Sequence, residues 1–106
     1  MATTPEGSVV QALIRECNKR GWEQRKITYE GRVGAPDRMV LAPRTLFFVE
    51  CKAPGQAPTP VQAREHERIR RTGTRVYVCD SECSVEYVFR HIANTIEQRS
   101  IHPDWR

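Results

Sequence analysis

Leu46-Phe47-Phe48-Val49-Glu50-Cys51-Lys52, preceded at a short distance by Pro36-Asp37, is the stretch that decides how this chain folds. Leu46 to Val49 is a run of strand formers leading directly into Glu50. Side chains alternate faces along a strand, so Glu50 and Lys52 project together and Cys51 points the other way. Asp37 opens the preceding apolar segment Met39-Val40-Leu41, which is placed to pair with the first as a hairpin. Two carboxylates and an amine then converge at one end of a sheet.

A Glu-x-Lys pair on a strand is by itself an ordinary solvated face, and an Asp after proline is common at turns. The position of this pair argues for more. It closes the most apolar stretch of the chain, where a central strand meets the core. Charges buried there cost several kcal/mol each unless they are paired or hold a metal. Carboxylate oxygens are the ligands a hard cation such as Mg²⁺ prefers. A cation so held can engage a phosphate oxygen and activate a water, with the lysine adding positive charge. The grouping predicts a site for phosphodiester hydrolysis.

Length and composition narrow the setting. At 106 residues the chain suits one domain, expected over residues 1–99, with a polar tail at 100–106. Seventeen Lys and Arg against thirteen Asp and Glu give a formal net charge of +4, which mildly favours a polyanionic partner. No stretch approaches the roughly 18 apolar residues of a membrane span. Met1 to Glu6 lacks a basic and apolar leader, so a cytoplasmic protein is expected. Cys17, Cys51, Cys79 and Cys83 include no Cys-x-x-Cys pair, and no histidine stands at zinc-ligand spacing. They are expected to be buried free thiols.

The first helix starts at Thr4-Pro5, a cap followed by proline at the first helical position, and ends at Gly21. Val9, Val10, Leu13, Ile14 and Cys17 form its apolar stripe. A weak strand follows over Trp22 to Thr28, then a glycine-containing loop, then the two hairpin strands about the turn Ala42 to Thr45. Thr59-Pro60-Val61-Gln62 has the capping-box pattern and opens a second helix that stops at Gly73. Arg75 to Cys79 is a compact strand. The last helix spans about Ser84 to Gln98, with Val85, Val88, Phe89, Ile92, Ala93 and Ile96 as its stripe. The order αβββαβα predicts an α/β fold, a mixed four-stranded sheet flanked by helices.

That order and these motifs resemble the PD-(D/E)xK nuclease superfamily and, more narrowly, the virus-type replication-repair nuclease (VRR-NUC) family. The matching residues are Glu6 opening a helix, Gly34-Ala35-Pro36-Asp37, Phe48-Val49-Glu50-Cys51-Lys52, the loop at Pro54-Gly55, Thr59-Pro60-Val61-Gln62 and Gly73-Thr74-Arg75-Val76, across roughly residues 6 to 80. The resemblance implies a restriction-endonuclease-like core and a Mg²⁺- or Mn²⁺-dependent DNA nuclease. Members made of this domain alone resemble Holliday-junction resolvases and tend to act as homodimers, and the family suggests a phage or bacterial setting. By the same resemblance Asp37, Glu50 and the backbone carbonyl of Cys51 would ligate the metal, with Glu6 as a further ligand. Lys52 would orient or help deprotonate the attacking water. Cys51 departs from the branched or aliphatic residue usual at its position, but its side chain is expected to face away from the metal.

At about 100° per residue Glu6 falls on the helix face of Val10, Leu13 and Cys17, so its carboxylate is expected to face the sheet. A first-turn acid favoured by the helix dipole is the plain alternative. Glu16, toward the edge of the stripe, is the rival ligand. Gln62 is the capping-box partner and, by the resemblance, also sits beside Lys52 and helps fix water or phosphate. Lys26 matches a frequent basic position in the family and is equally placed to be solvated. Arg64 and Arg68 share one helix face; with Arg32 and Arg38 they are the expected DNA contacts, alongside Arg44, Arg70, Arg71 and Arg75 as further positive charge, part of it merely solvated. His66, His91 and His102 are expected to be structural or surface residues. No aromatic ladder or base-reading motif is present, so recognition of DNA shape, as at a branch or junction, fits better than recognition of sequence.

A structure-selective endonuclease working as a homodimer is therefore the preferred expectation, with the last helix, Trp22 and Trp105 as candidate interface elements. A flap or end-processing nuclease shares the chemistry, as does cleavage of RNA. A catalytically inert DNA-binding subunit is the contrasting class, and the presence of Asp37, Glu50 and Lys52 together counts against it.

Overall fold

The computed structural model describes residues 4–100 and follows the predicted order: α1 (Pro5–Arg20), β1 (Glu23–Lys26), β2 (Arg38–Ala42), β3 (Thr45–Cys51), α2 (Pro60–Arg70), β4 (Arg75–Cys79) and α3 (Glu82–Ser100). Ser100 closes α3 instead of opening a tail, and the rest of the expected tail, with His102 and Trp105, lies outside the described residues. Thr4 caps α1 by accepting from the Gly7 N–H, and Gly21 ends it in the left-handed region at φ 69. β1 is shorter than the segment Trp22 to Thr28, because only its middle pairs with β2.

The strands lie in the order β1-β2-β3-β4. β1, β2 and β3 run antiparallel, and β4 joins β3 in parallel after α2 crosses between them. Helices α1 and α3 cover one sheet face, where Val9, Leu13, Val40, Phe47, Val49 and Phe89 form the core. Phe47 packs edge-on to Phe89 and Tyr77 at 5.7 and 5.9 Å. Truncating such a buried phenylalanine to alanine costs about 3–5 kcal/mol. Helix α2 lies on the opposite face, so Glu50 and Lys52 point toward it while Cys51 enters the core.

Trp22 is not an exposed interface aromatic: it is buried and stacks on Phe89 at 5.6 Å. It follows the Gly21 cap directly, and the reversal there turns the ring back under α3. Cys17, Cys51 and Cys79 are buried free thiols as expected, whereas Cys83 is exposed on the first turn of α3. Among the described residues no helix is long and apolar enough to cross a membrane.

Candidate active site

The β2–β3 register pairs Arg38 with Val49, and the chain just before Arg38 runs on beside Glu50 and Cys51. The Cys51 N–H donates to Asp37 Oδ2 at 2.9 Å, which ties the aspartate to the end of the neighbouring strand. Gly34 sets the approach of this segment to α2. Its φ is +95, and a Cβ there would lie 3.0 Å from the Val61 carbonyl oxygen and 3.2 Å from Glu65 Cβ. Only glycine combines that backbone angle with that close contact.

Glu50 is almost wholly buried, at 1% exposure. Lys52 Nζ lies 3.5 Å from its Oε2, and Gln62 donates to the same oxygen from Nε2 at 3.4 Å. Burial raises the Glu50 carboxyl to about 7, helped by the negative charge of Asp37 and opposed by Lys52. Gln62 closes the capping box and also lies against Lys52. Its backbone N–H donates to Thr59 Oγ1, while its Oε1 accepts from the Thr59 N–H and from Lys52 Nζ, each at 2.9 Å. The capping box thus holds the site lysine.

The burial expected of the two helix carboxylates is reversed. Glu6 is exposed on the first turn of α1. Glu16 is buried at 5% and bound by Arg20 Nη1 at 2.6 Å and Lys19 Nζ at 3.1 Å. Burial alone would raise its carboxyl, but these contacts prevail and hold it below the ordinary range. The buried face of α1 runs through Val9, Ala12, Leu13, Glu16 and Cys17, so Glu16, expected at the edge of the stripe, lies within it, and Glu6 lies outside it. Among the described residues no three His, Cys, Asp or Glu side chains meet as a metal cluster. Asp37 and Glu50 form a pair that Glu6 does not join.

His66 is the residue that sequence reasoning passed over as structural. It is buried at 1%, and its Nε2 lies 3.5 Å from Glu50 Oε1. Burial, then Arg70 and Lys52, lower its pKa and favour the neutral ring. The available signal was its spacing: four residues after Gln62, it shares that residue's helix face.

Of the expected phosphate contacts, Lys26 and Arg64 are exposed. Arg38 donates to Gln24 Oε1 at 3.0 Å. Arg32 and Arg68 both lean on buried Glu65, at 3.1 and 3.5 Å, yet each side chain stays more than half exposed. Tyr29 donates its hydroxyl to Glu65 Oε2 at 2.6 Å, so this carboxylate anchors the loop after β1 to α2. Beside it lies an open groove of about 650 Å³ that reaches from Thr28 to Thr74.

A mixed sheet that carries Asp at the end of one strand and Glu-x-Lys at the end of the next, beneath a helix that supplies Gln, has the fold of the PD-(D/E)xK nucleases. The sequence is 46% identical over 78 residues, 73% of this chain and 84% of the relative, to a protein described as "Putative nuclease p44" of Acyrthosiphon pisum secondary endosymbiont phage 1. A solved structure described as "VRR_NUC domain" matches with a TM-score of 0.78 at 41% identity, covering 85% of this chain and 98% of its own. No family model matches the chain. The chain belongs to the VRR-NUC family and is a nuclease.

Proposed function

We propose that this nuclease is a divalent-metal-dependent DNA endonuclease, Mg²⁺ or Mn²⁺ being the cofactor, and that it acts as a homodimer on branched DNA in the manner of a Holliday-junction resolvase. The observation that supports the reading best is the state of Glu50. A buried carboxylate with Asp37 beside it, its proton held to about 7, fits a hard cation. Asp37, Glu50 and the Cys51 carbonyl would hold it, and Glu6 is retained as a further ligand on the resemblance of its position alone. When bound, a divalent cation there supplies charge to the scissile phosphate and lowers the pKa of a bound water.

The chain's own residues would do the rest. Lys52, fixed through Gln62, presents its ammonium at the mouth, where it orients the attacking water and offsets charge gathering on the phosphate. Lys26, Arg32, Arg38, Arg64 and Arg68 would engage backbone phosphates, which carry affinity without reading sequence. A small domain cannot span both strands of a junction, whereas two-fold symmetry sets two sites across it.

The test incubates the protein with labelled four-way junction, flap, duplex and single-stranded DNA in Mg²⁺, Mn²⁺ or EDTA. Lys52→Ala and Asp37→Ala proteins run alongside. Paired symmetric nicks across the junction, absent in both variants and in EDTA, are expected. Cleavage of flaps or ends instead would keep the chemistry and replace the substrate. Binding without cleavage under either metal would leave a DNA-binding module.

A further inference from the structure

We propose that His66 is a positioning residue for Glu50: its Nε2–H fixes Glu50 Oε1 and so sets how tightly the Asp37–Glu50 pair takes a divalent cation. The inference rests on the metal-dependent reading above and assigns a role to a residue outside the acidic pair. Both atoms are wholly shielded from solvent, neither has a hydrogen-bond partner, and they lie 3.5 Å apart. A buried polar atom left without a hydrogen bond forfeits its lost hydration, so two such atoms in contact are each other's natural partner. The second carboxylate oxygen is already approached by Lys52 and Gln62, which leaves Oε1 to His66 alone.

The terminal torsion of a glutamate is broad, and a carboxylate touched on one oxygen only can rotate. Contact on both oxygens holds its plane. Gln62 and His66 stand one helical turn apart on α2 and approach the carboxylate from the same side, one per oxygen. A histidine serving only as core filling has no need to aim a nitrogen at a buried carboxylate. Groups that orient a metal-binding side chain by hydrogen bond typically change metal affinity by about 10–100-fold when removed.

The experiment titrates purified full-length protein, without DNA, with Mn²⁺ and follows the free-ion signal by electron paramagnetic resonance. Wild type is compared with His66→Leu, His66→Gln, His66→Asn and Asp37→Ala, each checked for native near-ultraviolet circular dichroism. The Gln amide nitrogen reaches the place of Nε2 and the Asn nitrogen does not. His66→Gln should hold near wild-type affinity, while His66→Asn and His66→Leu fall by about 10–100-fold. Should His66→Leu fail to fold, the Gln–Asn contrast decides the question. Equal affinity in wild type and His66→Asn overturns the positioning role and leaves the metal site standing, as does a folded His66→Gln protein no better than Asn. A wild type that binds no Mn²⁺ sinks the metal-dependent reading and this inference together.

Discussion

Replacing Glu50 by glutamine should stabilise the metal-free protein at alkaline pH while abolishing cleavage. The carboxyl sits at about 7 against an ordinary 4.5, chiefly through burial and then through Asp37. At about 1.4 kcal/mol per pH unit, that gap of roughly 2.5 makes ~3.5 kcal/mol an upper bound on what ionising Glu50 costs the fold. The folded state holds this proton more tightly than the unfolded chain does. Its contribution to stability is therefore complete below pH 4.5 and is lost as pH rises through about 7.

The stability of Glu50→Gln relative to wild type should accordingly grow by about 1–3 kcal/mol between pH 5 and pH 8, then level off. Asp37, Lys52 and His66 are present in both proteins, so the comparison isolates the change at position 50. Urea unfolding in EDTA at pH 5, 6, 7 and 8 measures the difference. A difference that stays flat, or shrinks with rising pH, would refute the argument that burial of this carboxylate strains the apo site. Mn²⁺ at 100 times its dissociation constant should then stabilise the wild type by about 2.7 kcal/mol and leave the glutamine variant unmoved.

Four further changes separate the parts of the site. Gln62→Ala removes the partner of both the Thr59 N–H and Lys52 Nζ, and should lower stability by about 1–2 kcal/mol together with cleavage. Gln62→Glu keeps the capping box yet sets a second charge against Glu50, so melting temperature should hold better than single-turnover cleavage does. Gly34→Ala, at φ +95 and against the Val61 carbonyl, should cost about 1–3 kcal/mol in a thermal melt. Arg64→Ala should weaken DNA binding regardless of sequence and reduce the slope of log affinity against log salt by about one; a slope unchanged in titrations from low to high salt would remove Arg64 from the interface.

The elements that were legible from sequence are those fixed by local chemistry. Thr4-Pro5 and Thr59-Pro60 start helices where a capped first turn needs them, and the apolar run ending at Glu50 is the central strand. The alternation that sends Glu50 and Lys52 to one face and Cys51 to the other is a property of any extended strand. What escaped depends on where packing begins and which residue finally covers which. A helical wheel drawn on the apolar residues sets Glu6 in mid-stripe and Glu16 at its edge, and packing reverses both placements. Trp22 lies beyond a helix cap, so its burial is decided by α3, more than sixty residues further along. His66 looks like any core histidine until β3 is laid beneath α2. Arg32 and Arg68 carry the expected charge, but Glu65 between them becomes visible only once the loop after β1 folds back.

The electrostatics of the mouth tie these pieces to the proposed chemistry. With both carboxylates ionised, Asp37 and Glu50 bring two negative charges and Lys52 one positive, in a place where burial amplifies every imbalance. Without a ligand the site relieves the excess by holding a proton on Glu50. A divalent cation in the same place turns the net charge of the group from minus one to plus one, which matches the single negative charge of a phosphodiester. The apo strain and the affinity for substrate then have one origin, and the capping amide of Gln62 links both to the start of α2. A carbonyl oxygen accepts two hydrogen bonds, and Gln62 Oε1 uses both, one for the helix and one for the lysine. Fraying of the first turn of α2 would therefore release Lys52, and hydrogen exchange at the Thr59 and Gln62 amides should rise in step with loss of cleavage in variants of this turn.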